Sequence, residues 1–200
     1  MKLLYMQPDI NSQEAYLEAV AKSVGCKTKK EIGEFLNPTP TIHNTISSLP
    51  DYKKAVICLK DAFRTKKKIV IFGDYDCDGI TALVQLMDFL NAITGLEKHS
   101  WFIPNRMADN YGLTRSGLKR CIDLYNPQLL IVVDCGSNSI DEIDWLKNKG
   151  IKCIIIDHHS IVSSDKPHPA AAHLNPKAFD VKNPLIDKLT TMSASGLVFL

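Results

Sequence analysis

The sequence has no Cys-x-x-Cys pair, no long apolar run, no internal repeat and almost no net charge. Each absence removes a class of protein. The six cysteines, Cys26, Cys58, Cys77, Cys121, Cys135 and Cys153, stand apart, most of them in or beside apolar runs. That excludes a zinc ribbon or a disulfide frame and fits reduced, mostly buried thiols in a cytoplasmic protein. The opening MKLLYMQPDINSQEAY holds too short an apolar run for a secretory signal. Nothing approaches the ~20 apolar residues of a membrane span, so no membrane partner is expected. A net charge of +2 does not by itself imply a polyanion. Residues 1–68 carry 12 Lys+Arg against 7 Asp+Glu, and residues 69–200 carry 12 against 15. The basic first third suits nucleic acid, but a solvated helical face rich in lysine accounts for it as well.

What is present is an ordinary globular composition, 45% hydrophobic and 23% charged, in 200 residues. That length suits one domain with a helical extension. Residues 12–36 read as one or two short amphipathic helices, with Ser12 as N-cap. NPTPTIHNTISSLPD, residues 37–51, carries three prolines and reads as a linker or extended arm. A helix follows from about Asp51 to Arg64, with Ala55, Leu59, Ala62 and Phe63 at helical spacing. From Lys68 the pattern changes. KIVIFGD, LLIVVDCG and KCIIIDHH are short continuous apolar runs, as strands buried on both faces require. Helical segments at 79–92, 114–125 and 140–149 separate them, and HSWFIP and PAAAHLNP read as further strands. The expectation is an α/β fold, a parallel sheet flanked by helices. Residues 1–66 would form the helical extension and linker, and residues 67–200 the sheet domain.

Three apolar strands end on acids or histidines. Ile69–Phe72 runs into Gly73-Asp74-Tyr75-Asp76-Cys77-Asp78, Leu129–Val133 into Asp134, and Cys153–Ile156 into Asp157-His158-His159. In a parallel sheet the carboxyl ends of the strands share one edge, where ligands bind. D-x-D-x-D-G also opens an EF-hand loop, but that loop needs a preceding helix and a Glu at its twelfth position. Here a strand precedes it, and the twelfth residue from Asp74 is Gln85. The remaining reading is a metal cluster of Asp76, Asp78, Asp134 and His158. Hard oxygens with one imidazole favour Mn²⁺ or Mg²⁺, two ions in all, which hold a phosphate between them and generate hydroxide. The cations also offset the mutual repulsion of the carboxylates.

GDYDCDG, VVDCGS and IIDHH resemble motifs I to III of the DHH phosphoesterase superfamily. FLNP at 35–38, IPNR with NYGLT over 103–114, and HLNPK at 173–177 resemble its RecJ-type single-strand-specific exonucleases. The resemblance implies a 5′→3′ single-stranded-DNA exonuclease of repair and recombination. It implies metal ligands at Asp76, Asp78, Asp134 (bridging) and His158, with Asp157 orienting His158 and His159 facing the scissile phosphate. Catalysis would rest on Asp134, His159 and Asp157. Some members have a histidine two positions before the first motif I aspartate, where this chain has Phe72. The family also has a motif IV aspartate, a linker helix and a DHHA1 domain. SASGLVFL resembles the helix leading toward motif IV. The implied protein is therefore the front part of a longer enzyme or one piece of a split one. Its partners would be single-stranded nucleic acid and a portion carrying motif IV and a DHHA1-like domain. Little nuclease activity is expected of these 200 residues alone. Two rival readings are a DHH phosphodiesterase of short RNA, cyclic dinucleotides or polyphosphate, and a non-catalytic single-strand-binding scaffold.

Around this cluster several residues have two readings. Asp74 supports a ligand or accepts loop hydrogen bonds. Arg106 grips a phosphate through the bidentate geometry that arginine offers, or forms a surface salt bridge. Tyr111 stacks on a base or packs under a turn. Ser137 and Asn138 bind phosphate or cap the next helix. His43, His99, His168 and His173 read as structural.

Overall fold

The computed structural model describes residues 13–37, 46–95, 99–109, 112–162, 167–179 and 183–200. Ser12, His43 and Tyr111 lie outside the described residues. By contacts the chain forms two compact units, Met1–Thr41 and Ile42–Leu200. In the first, α1 (Gln13–Ser23) packs with α2 (Lys29–Leu36). A capping box starts α2: the Thr28 hydroxyl accepts from Glu31 N, and the Glu31 carboxylate accepts from Thr28 N.

The second unit begins earlier than the division expected at residue 66. Ile46–Ser48 form a 3-10 turn, and Ile46 and Leu49 are buried in the core, so the end of the proline-rich segment is core rather than linker. The helix α3 (Tyr52–Arg64) packs against the sheet through Ala55, Cys58 and Ala62. The chain then alternates: β1 (Ile69–Gly73), α4 (Cys77–Thr94), β2 (Ser100–Phe102), α5 (Arg106–Asp109), α6 (Arg115–Tyr125), β3 (Leu129–Val133), α7 (Ile140–Asn148), β4 (Lys152–Ile156), β5 (Ala172–Leu174), α8 (Pro184–Leu189) and α9 (Ala194–Phe199). Among the described residues every strand pairing is parallel, in the order β2-β1-β3-β4-β5.

Strand alternation builds two cores. Ile69, Ile71, Leu129, Ile131 and Val133 face α3, α4, α8 and α9. Val70, Phe72, Leu130, Val132 and Ile155 face α6 and α7. Both faces are covered, which is why the strands are apolar throughout. Phe72 stacks on Phe102 with ring centroids 5.3 Å apart, so β1 contributes an aromatic to the core beside the strand end. Among the described residues no helix is long and apolar enough to cross a membrane.

The strand order places a switch point between β1 and β3. The chain leaves β1 toward β2 on one side and returns to β3 on the other. At such a point the loops after the two strands diverge and leave a crevice at the carboxyl edge.

Candidate metal centre

Asp134 stands at that crevice. It follows β3 with φ 61°, a left-handed conformation that few non-glycine residues adopt. Its amide still donates to Ile156 O at 2.9 Å, so the turn begins only after the ladder is complete. The side chain is 1% exposed, and neither carboxylate oxygen has a hydrogen-bond partner among the described residues. Burial first, then the charges of Asp78 and Asp76, push its pKa up to about 8. An ionised carboxylate so placed has only the His158 ring beside it, and a bound cation would compensate its charge.

The loops from β1 and β4 bring the other donors. Asp74, Asp76 and Asp134 each offer an oxygen within 4.8 Å of the others, and Asp134, His158 and His159 do the same with oxygen and nitrogen. Asp134 is common to both groups. The donor set fits a hard divalent cation.

Asp76 is the N-cap of α4 and accepts from Gly79 N at 2.9 Å. Gly79 lets the helix start against motif I: a Cβ there would lie 2.6 Å from Asp74 O. Asp74 is fully buried, and its Oδ1 accepts from Tyr75 N at 2.8 Å. It thus has the loop-acceptor role and also falls within the ligand group.

Asp78 is engaged differently from the expectation. Its two oxygens accept from Ala194 N and Ser195 N, each at 2.8 Å, at the start of α9. Burial alone would raise its pKa, but the bonds from Ser195 and Ala194 outweigh that and lower it. His158 Nε2 lies 3.4 Å from Asp78 Oδ2 and 3.3 Å from Asp134 Oδ1.

The side-chain partner of Asp157 is His159, where the sequence suggested His158. Asp157 Oδ1 meets His159 Nδ1 at 2.7 Å and accepts from the amides of His158 and His159; Oδ2 accepts from Ser137 N at 3.0 Å. Burial opposes this charge, yet the bonds from Ser137 and His159 hold its pKa below the ordinary carboxylate value. The adjacent His158 side chain points to Asp134 and Asp78, which leaves only its backbone amide to Asp157.

Neither Ser137 nor Asn138 caps α7; Ser137 is buried and Asn138 is exposed. The buried Ser137 hydroxyl is bonded to His173 Nε2 and Asn175 Nδ2, both at 2.8 Å. Asn138 donates to Ser160 O and accepts from Val162 N, tying the segment after β4 to the end of β3. Ser139, not Ser137, is the N-cap of α7. Arg106 is exposed at the start of α5, with its guanidinium 5.4 Å from the centre of the Tyr75 ring. No carboxylate pairs with it among the described residues. His173 is buried and His168 stacks on it at 4.3 Å, in keeping with structural roles. Cys135 is buried and Cys77 exposed.

The model for the DHH family, N-terminal domain, matches residues 68–200. The chain belongs to the DHH family. Within that family it is RecJ-like. It is 36% identical over 124 residues to the single-stranded-DNA-specific exonuclease RecJ of Haemophilus influenzae, covering 62% of this chain and 21% of that protein. A crystal structure of exonuclease RecJ bound to manganese superimposes with a TM-score of 0.62 at 27% identity, over 76% of this chain and 36% of that one. RecJ of Thermus thermophilus in complex with Mn²⁺ gives 0.55 at 26% identity, over 76% of this chain and 20% of that one. The chain thus spans about a fifth of the length of the Haemophilus relative, 21%. The DHH segment contains β1 through β5, every strand of the sheet.

Asn175 was the residue that sequence reasoning passed over. It sits in HLNPK, one of the RecJ-like segments, but nothing in its spacing connects it to the strand-end acids.

Proposed function

We propose that this chain carries the metal-binding part of a RecJ-type 5′→3′ single-stranded-DNA exonuclease, which hydrolyses phosphodiesters. One observation carries the reading: Asp134, buried with both oxygens unbonded among the described residues, stands between two ligand groups drawn from different strand ends. Asp74, Asp76 and Asp134 would hold one Mn²⁺ or Mg²⁺, and Asp134, His158 and His159 a second. Ions bound there supply charge neutralisation, Lewis-acid polarisation of a phosphoryl oxygen and acidification of water.

The chain's own residues do the rest. Asp157 accepts the Nδ1 hydrogen of His159, which fixes the ring and makes Nε2 its acceptor nitrogen. Asp78 holds α9 against motif I and stands beside His158 as an anion. Arg106, over Tyr75 and next to the motif I loop, would grip a nucleic-acid phosphate. A further portion carrying motif IV and a DHHA1-like domain would complete the cleft.

The test is a Mn²⁺ titration of the purified chain, followed by hydrolysis of a long single-stranded DNA and of dinucleotides. Mn²⁺ binding is expected, with little turnover by the chain alone and preference for long DNA once the completing portion is supplied. Absence of Mn²⁺ binding would overturn the metal centre; preference for dinucleotides would overturn the exonuclease.

A further inference from the structure

We propose that Asn175 is a positioning residue that holds the His158–His159 segment in register with Asp134, an inference that rests on the metal-centre reading above. Asn175 follows β5 and is fully buried. Its Nδ2 donates to His159 O at 2.9 Å and to Ser137 Oγ at 2.8 Å, and its Oδ1 accepts from Lys177 N at 2.9 Å. One side chain therefore ties together the loops after β3, β4 and β5.

The bond directions follow from chemistry. An amide nitrogen only donates, so Ser137 Oγ accepts from Asn175. Ser137 Oγ also lies 2.8 Å from His173 Nε2, a bond that either tautomer of the histidine can complete. Burial and the neighbouring His168 push the His173 pKa down to about 4, so its ring is neutral. Ser137 N donates to Asp157 Oδ2, and Asp157 Oδ1 receives His159 Nδ1. The chain Asn175–Ser137–Asp157–His159 closes on itself, because Asn175 also holds the His159 carbonyl. A buried network satisfied in this way is rigid, and it leaves the histidine one orientation.

The competing role for Asn175 is that of a cap for the 3-10 turn Pro176–Ala178, through Oδ1 alone. Asn175→Asp separates the two, because it retains that acceptor and the side-chain volume while removing the amide that donates twice. The variant and the wild-type chain would be titrated with Mn²⁺ by electron paramagnetic resonance. The His159 Nδ1 proton would be followed in the metal-free chain by ¹⁵N-resolved NMR. Expected are a Mn²⁺ affinity weakened ~10- to 100-fold, the range for losing a partner that orients a ligand, and faster exchange of the His159 proton. Wild-type affinity with an unchanged His159 signal would overturn the proposal.

If Asn175→Asp does not fold, Ser137→Ala decides. It removes the hydroxyl acceptor and keeps the amide that holds Asp157, and wild-type affinity in the folded variant would overturn the positioning role. If the wild-type chain binds no Mn²⁺, the metal-centre reading fails on its own. The His159 signal still decides the inference: retained in the variant it overturns positioning, and lost it supports it.

Discussion

Asp134→Asn should make the metal-free protein more stable while removing its metal binding. The unfolded carboxyl titrates near 3.8 and the folded one near 8, so between those values the folded chain holds a proton the unfolded chain has released. Wild-type stability is therefore greatest at the acid end of this window and falls as pH rises through about 8. At ~1.4 kcal/mol per pKa unit the full shift sets a ceiling on the order of 6 kcal/mol for the penalty at alkaline pH. Water entry and relaxation reduce such penalties, and ~2–3 kcal/mol is the expected gain for the variant. Asparagine nearly matches the shape, carries no charge and can donate toward the neighbouring carboxylates. Urea unfolding followed by circular dichroism, in chelator at pH 5, 7 and 9, measures the difference. With a slope of ~2 kcal/mol/M, the variant's midpoint should exceed the wild type's by ~1 M or more at pH 9 and by little at pH 5. Mn²⁺ at a hundred times its dissociation constant should return ~2.7 kcal/mol to the wild type and nothing to the variant. A wild type with no decline in stability toward pH 9, or a variant no more stable there, would refute the reasoning.

Other substitutions probe the supports of the same centre. Asp78→Ala should cost ~1.5–3 kcal/mol in urea unfolding, because two amides at the start of α9 lose a charged acceptor; an unchanged midpoint would deny that role. Asp157→Asn should destabilise the chain at neutral pH and much less at pH 2. Its folded pKa is depressed, so its stabilisation is present above the unfolded value and is lost as pH falls through the folded one. Equal destabilisation at both pH values would contradict this. Gly79→Ala should lower stability by ~2 kcal/mol or more and weaken Mn²⁺ binding, since its Cβ would lie 2.6 Å from Asp74 O and the motif I loop would have to move. Thermal melts and the same Mn²⁺ titration would detect both effects.

The sequence by itself determined the strands, their parallel arrangement and the meeting of three acidic strand ends on one edge. Continuous Val/Ile runs separated by helical segments leave little else, because such strands must be buried on both faces. β1, β3 and β4 fall where the apolar runs stand, and Asp134 is legible because it directly ends one of them. Only the tertiary structure decided how the side chains divide their work. Asp74 and Asp78 look alike in D-x-D-x-D, but β1 aims the first into the cluster, while the second lies in the first turn of α4, where the amides of α9 claim it. Asp157 serves His159 rather than His158, and Asn175 joins loops that are 16 and 38 residues away in the chain. Hydrogen bonds of that kind depend on direction and on distant backbone, and neither residue type nor spacing encodes them.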